Sequence, residues 1–313
     1  MRLSSRPMKV LVTGATGFVG RHLLPRLERD GHSLVVLSRS EHPNLNTPSS
    51  VPVFCWRPEE APPPLSALEG VDAVVHLAGE SVMGRWSSEV KRRIHDSRVI
   101  GTRNLIEGMR RAGARGPKTL VSASAIGFYG DRGDEILNER SPSGSGFLAG
   151  VCVEWEREAQ RFSSEVGGRV AIVRVGIVLG RDGGAMEKLA PLYRKALGGP
   201  LGDGRHWMPW IHIEDLVSIF AEAVSKTDWT GPINGVGPHP SRNVDFSDVL
   251  AKTVHRPAVF KTPHFVLKLA LGEVADFLLW SQRVIPDRAE RLGYRFQYPE
   301  LAPALREICG ESH

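Results

Sequence analysis

The sequence predicts an α/β protein: a doubly wound parallel sheet joined to a smaller C-terminal α/β substrate domain. Three observations carry this. Up to Gly180, short apolar runs alternate with stretches of helical apolar spacing. Runs such as AVVHLA are apolar apart from His76, as strands buried on both faces largely are. After Gly180 the texture shifts to a Gly-, Trp- and Pro-rich region, then to short helices.

Each element follows in order. MKVLVTG reads as a buried strand that ends in a glycine turn, and GFVGRHLLPRLERDG as a helix stopped at Gly31. HSLVVLSR, VPVFCW and VDAVVHLAG are the next strands, with the Pro-rich loop RPEEAPPPLS after VPVFCW. A helix is predicted from about Glu89 to Arg111, then the strand KTLVSASAIG. GFLAGVCVEWERE opens a helix that runs to about Glu165. RVAIVRVGIVLG reads as a sixth strand. The helix EDLVSIFAEAVSK and the strand GPINGVG return to the first domain. Residues 8–237 form that domain, with 186–209 contributing to the substrate side, and 238–313 form the small second one.

Composition narrows the function. With 313 residues, 41% hydrophobic and 24% charged, the chain has the make-up of a soluble globular protein. The net charge of +5 suits a phosphate-bearing ligand. The basic residues are spread out, and no aromatic-basic motif points to nucleic acid. Cys55, Cys152 and Cys309 have no metal or redox spacing, so no metal is expected. No apolar run is long enough for a membrane span, and MRLSSRP is too short and polar for a signal peptide. The expectation is a cytoplasmic protein with a small-molecule substrate and no nucleic-acid or membrane partner.

The strongest motif is TGATGFVG. Gly14, Gly17 and Gly20 lie between the first strand and the first helix. There they permit a tight turn, close approach of a pyrophosphate, and close packing of helix on strand. The free N–H groups of the helix N-terminus then face the phosphates. This is the Rossmann-type dinucleotide fingerprint. The second strand ends in LSRS. An NAD site places Asp or Glu there for the ribose 2′-hydroxyl. Ser38 and Arg39 instead offer a hydroxyl and a guanidinium, which suit the 2′-phosphate of NADP. HLAG, from His76 to Gly79, ends the fourth strand at the same edge, where His76 reads as a satisfied strand-end residue.

These motifs, with LAGESVMGRWS, SRVIGTRNL, SASAIGFYG, FLAGVCVEWE, VRVGIVLGRDGGAM, LGGPLGDGRHWMPWIHIEDL and RVIPDRAERLGYRFQYPELAPAL, resemble the atypical epimerase-like branch of the extended short-chain dehydrogenases/reductases. That branch sits in the NAD-dependent epimerase/dehydratase superfamily and carries a C-terminal domain of unknown function. The resemblance covers nearly the whole chain from Met8. It implies NADP at Gly14, Thr16, Gly17, Phe18 and Val19, at Ser38 and Arg39, at Leu77, Ala78, Gly79 and Glu80, and at Arg98, Ser122 and Val178. It also implies oxidoreductase or epimerase-like chemistry; the helix containing VCVEWERE, through which the superfamily often dimerises, reads equally as part of a homodimer interface or as buried within a monomer.

Catalysis is where the chain departs from the pattern. Active members of the superfamily use Tyr-x-x-x-Lys. Here Phe147 and Val151 occupy those places, and a one-residue shift gives Leu148 and Cys152. The helix reads as core packing with one exposed acidic face. Ser124 fits the substrate-orienting serine. Tyr129, five residues on, is a candidate stand-in proton donor. His212 reads as a cap or packing residue, and Arg205, His206, Trp207 and Trp210 as a pocket wall or interdomain packing. Two readings remain: an NADP-dependent enzyme with a non-standard proton donor, or a non-catalytic NADP(H)-binding sensor or scaffold.

Overall fold

A computed structural model describes residues 6–45, 47 and 50–310. Most of the polar lead-in expected before Met8 lies outside these residues. The first part of the chain alternates as predicted: β1 (Lys9–Thr13), α1 (Phe18–Arg29), β2 (Ser33–Ser38), β3 (Val53–Cys55), α2 (Leu65–Leu68), β4 (Ala73–His76), α3 (Ser88–Ala112) and β5 (Thr119–Ala125). Next come β6 (Ile136–Leu137), α4 (Phe147–Val166), β7 (Arg169–Val175), β8 (Ile177–Gly180), β9 (Gly183–Gly184) and α5 (Met186–Arg194). Then β10 (Trp207–Met208), β11 (Trp210–His212), α6 (Ile213–Ser225), β12 (Gly231–Gly235) and β13 (Ser241–Arg242) follow. The chain closes with α7 (Asn243–Thr253), α8 (His264–Leu271), α9 (Val274–Leu278), β14 (Arg283–Val284), α10 (Asp287–Arg291) and α11 (Leu301–Cys309).

Seven strands form one sheet in the order β12-β7-β5-β4-β1-β2-β3, every neighbouring pair parallel. Alternation decides the faces. Val10 and Val12 of β1 bury against Leu23, Leu24 and Leu27 of α1 and Phe220 of α6. Leu11 turns the other way, into a core with Leu105 and Met109 of α3 and Phe162 of α4. Each such fully buried side chain contributes about 1.5–3 kcal/mol. The strand order reverses between β1 and β4, so their C-terminal ends open a crevice, the usual ligand position in doubly wound sheets.

Two departures from the sequence reading matter. RVAIVRVGIVLG is two strands, not one. β7 stays in the main sheet, while β8 leaves it to pair with β11 and β9. The break falls at Gly176, where a Cβ would lie 2.5 Å from the Pro209 carbonyl oxygen and 2.7 Å from Val236 Cγ1. The second core also draws on both sides of residue 237. Leu179, Met186, Tyr193 and Trp210 pack with Phe246, Leu250, Leu305 and Ile308. Conversely, Ala289, Tyr294 and Phe296 pack back on the first core. Buried Asp215 at the start of α6 fixes that return, accepting hydrogen bonds from Tyr294 Oη (2.9 Å) and the Gln297 and Tyr298 amides (2.7 and 2.9 Å).

Candidate functional site

A cavity of about 550 Å³ follows the C-terminal ends of β1, β2 and β4. The glycine turn forms its floor. Gly14 has φ +71°, and a Cβ there would lie 2.8 Å from the Ala78 amide nitrogen, so backbone meets backbone. Gly17 caps α1 with no side-chain hydrogen bond, and no acid sits in the helix's first turn. The first N–H groups of α1 therefore remain available to an anion.

The edge of β4 is pinned from behind. Thr13 Oγ1 accepts from the Ala78 amide (3.2 Å) and meets His76 Nδ1 at 2.7 Å, and His76 Nε2 meets Thr102 Oγ1 at 3.0 Å. Burial without a charged partner lowers the His76 pKa to about 4, so the ring stays neutral and structural. The next loop is tied to α3, where Ser97 Oγ accepts from the Glu80 amide at 3.0 Å.

At the end of β2, Ser38 Oγ accepts from the Ser40 amide at 3.1 Å, and Ser38, Arg39 and Ser40 all line the cavity. Arg39 is exposed, and no carboxylate among the described residues pairs with its guanidinium. Trp56 and Pro58 form the facing wall. Sequence reading missed both, because they come from the loop after β3 and carry no motif.

A second cavity of about 390 Å³ shares Gly14, Gly17 and Leu77 with the first and runs under β5 toward α4 and α9. Phe18, Val19, Arg98 and Ser124 line it. Arg98 stacks over the Trp155 ring at 5.3 Å, donates to the Ile94 carbonyl at 3.1 Å, and reaches beneath Gly79. Burial lowers its pKa, with Cys152 and Glu80 opposing.

Behind Ser124 lies a buried ionic chain. Ser124 Oγ donates to Glu156 Oε1 at 2.7 Å, and Arg174 grips that carboxylate through Nε and Nη2, both at 2.8 Å. Glu156 and Arg174 are 6% and 4% exposed, so the pair is desolvated. Burial alone would lower the Arg174 pKa, but its hydrogen bonds and charge contact with Glu156 outweigh this and raise it.

Residues 10–234 match the model of the NAD dependent epimerase/dehydratase family, and residues 262–308 match a domain of unknown function, DUF1731. The chain belongs to the NAD dependent epimerase/dehydratase family.

It is 40% identical over 310 residues to the Arabidopsis thaliana chloroplastic protein called epimerase family protein SDR39U1 homolog, covering 96% of this chain and 86% of that one. Bacillus subtilis epimerase family protein YfhF is 34% identical over 305 residues, covering 97% and 99%. The crystal structure of human epimerase family protein SDR39U1 with NADPH is similar at a TM-score of 0.86 and 31% identity, covering 97% and 100% of the two chains. A nucleoside-diphosphate sugar epimerase structure from Corynebacterium glutamicum is similar at 0.77 and 36%, covering 97% and 59%.

In this epimerase-family chain, the glycine turn, Thr16, Ser38, Arg39, Leu77, Ala78, Gly79 and Glu80 come together around the first cavity as the motifs implied. Three expected positions do not reach either cavity. Tyr129 is fully buried in the turn after β5. Its single hydroxyl hydrogen is directed at Asn234 Oδ1 (2.7 Å), with the Asn138 carbonyl also in reach (3.1 Å), and the oxygen accepts from Arg174 Nη1 (2.9 Å). Burial pushes its pKa up to about 12 against the pull of Arg174. It anchors the turn and is not placed to donate a proton. Ser122 is also fully buried, with its hydroxyl on the Ala123 carbonyl at 3.0 Å. Val178 lies beyond the break at Gly176, and Val175, Gly176 and Ile177 line the second cavity instead.

The acidic residues of α4 divide: Glu154 is half-exposed beside His95, whereas Glu156 and Glu158 are 6% and 4% exposed, with Glu158 pairing with Arg103 (2.9 Å) and Arg161 (2.6 Å). His212 does cap α6, accepting from the Glu214 amide at 3.2 Å. Trp210 is buried in the second core, and Trp207 lies between Arg242 and Arg283 at 4.5 and 4.6 Å. These tryptophans pack and line neither of the two cavities. No helix among the described residues is long and apolar enough to cross a membrane.

Proposed function

We propose that this protein binds NADP(H) across the two cavities and is an oxidoreductase or epimerase-like enzyme that works without the Tyr-x-x-x-Lys pair. The observation that carries the cofactor choice is Arg39. It lines the cavity floored by the glycine turn together with Ser38 and Ser40, and no carboxylate among the described residues pairs with its guanidinium. A cation left without a carboxylate at that strand end suits a 2′-phosphate. The human relative crystallised with NADPH supports the same reading.

The residues present fit the group. Gly14 lets the turn lie directly against the Leu77–Ala78 backbone, where a side chain would collide, and the uncapped start of α1 offers N–H groups to the diphosphate. Arg98 is the cation available at the nicotinamide half. Bound there, the nicotinamide would supply hydride chemistry at the second cavity. The test is a fluorescence titration of NADPH and NADH, with wild type beside Arg39→Ala. NADPH binding at least about tenfold tighter, with the gap closed in the variant, supports the reading. Equal binding of the two by wild type rejects it.

A second reading has its own support. The second cavity offers no free acid: the Ser124 proton goes to Glu156, and burial pushes the Cys152 thiol up to about 12. A non-catalytic NADP(H)-binding sensor or scaffold needs none. It predicts tight cofactor binding with no NADPH consumption across a carbonyl panel, whereas the enzyme reading predicts turnover with at least one member.

A further inference from the structure

The second cavity differs from the first in chemistry. Its walls beyond the glycine turn are Val82, Ile126, Leu148, Val151, Ile177 and Phe277. Apart from the Cys152 thiol, its polar side chains are Ser124, Arg98 and Trp155, and the Trp155 indole nitrogen is sealed from solvent. In the cofactor reading above, on which this inference rests, Arg98 is committed to the nicotinamide half. That leaves Ser124 to meet a substrate.

The hydrogen-bonding sense of Ser124 is fixed. A serine hydroxyl has one hydrogen and two lone pairs. Here the hydrogen points to Glu156 Oε1 at 2.7 Å, and two bonds from Arg174 at 2.8 Å hold that carboxylate in place. Ser124 therefore presents only lone pairs to the cavity and accepts from an O–H. A carbonyl oxygen, itself an acceptor, finds no partner on it. A substrate cation would face Arg98, and a substrate anion would compete with the cofactor for it.

Sugar nucleotides fit this wall badly. They carry a diphosphate and several sugar hydroxyls, and each polar group buried without a partner costs about 1–3 kcal/mol. The space beside Ser124, about 390 Å³ before the nicotinamide end is filled, suits a compact group.

We infer that the second cavity takes a compact, uncharged alcohol with apolar flanks, its O–H donating to Ser124 Oγ, and not a sugar nucleotide. The test uses the full chain saturated with NADPH, with saturation confirmed by titration in the same sample. Binding of cyclohexanol, cyclohexanone, 1-phenylethanol, acetophenone and UDP-glucose is then followed by ligand-observed NMR. Each alcohol is expected to bind about tenfold tighter than its ketone, and UDP-glucose not to displace it. Ser124→Ala should bring alcohol and ketone level.

Three results overturn the inference: ketones binding as tightly as alcohols in wild type, UDP-glucose binding tighter than either, or no binding by either alcohol. If NADPH itself fails to bind, the cofactor reading falls and takes this one with it. If NADPH binds and the alcohols do not, only this inference falls.

Discussion

Arg98 of α3 stacks on Trp155 of α4, with the guanidinium carbon 5.3 Å from the ring centroid. Trp155 lies one helical turn past Val151, the place where the superfamily pattern puts lysine. The cation missing from α4 is thus supplied from the neighbouring helix, into the same cavity that Val151 lines. The aromatic face and the Ile94 carbonyl hold it there in place of a carboxylate.

This division of labour is testable on the cofactor alone. In the proposed NADP(H) mode, Arg39 would face the 2′-phosphate end and Arg98 the nicotinamide half. Arg98→Ala should weaken NADPH and NADH alike, by about tenfold, whereas Arg39→Ala should weaken NADPH only. Parallel fluorescence titrations decide it. If Arg98→Ala discriminates between the two cofactors, the assignment of Arg98 to the shared half is wrong.

The Glu156–Arg174 pair should matter more to stability than any surface ion pair in the molecule. Removing one partner strands a desolvated charge, so Glu156→Ala should cost about 3–5 kcal/mol. Arg174 would keep only Tyr129, the Glu139 carbonyl and the Phe128 face, 3.5 Å from its guanidinium carbon. Replacing both residues with leucine should recover much of the loss. Urea unfolding of the three proteins measures this, and a cost below about 1 kcal/mol for Glu156→Ala would contradict the buried geometry.

Much of the first cavity was legible because its information is local. The glycine turn, LSRS and HLAG each carry their meaning within a few residues at a strand end. The ionic chain was not legible. Glu156 sits among Glu154 and Glu158 in a helix whose buried face depends on β5 and β7, and its partner is 18 residues away on another element. An arginine inside the apolar strand RVAIVRV was the one available signal. Tyr129 misled for a related reason: its closeness to Ser124 in sequence says nothing of the turn over Ile126–Tyr129, which carries the ring toward Asn234.

That turn gives a further expectation. Tyr129→Phe removes a hydroxyl that meets Asn234, Arg174 and the Asn138 carbonyl, leaving Asn234 Oδ1 without that donor. The loss should be about 1–3 kcal/mol of stability, with NADPH affinity intact because the ring lines neither cavity. Unfolding and titration on the same preparation separate the two. An NADPH affinity that collapses in a folded Tyr129→Phe protein would return this residue to the site.

His76 sets the acid limit of the fold at the nucleotide edge. Its folded pKa is lowered by burial to about 4, from an ordinary 6.5. A base whose folded pKa is depressed stabilises the protein above its unfolded pKa, and that contribution is lost as the pH falls from 6.5 through 4. At 1.36 kcal/mol per unit, the loss is about 3 kcal/mol. His32, His206 and His212 are also lowered by burial and add in the same direction. The His76 share is therefore isolated by difference, comparing unfolding free energies of wild type and His76→Asn at pH 7 and pH 4.5. The variant starts less stable, because Thr13 and Thr102 lose their imidazole partner, but it should lose less on acidification. Parallel losses in the two proteins would mean that His76 takes up its proton in the folded state, and that the Thr13–His76–Thr102 chain is not the pin holding the end of β4.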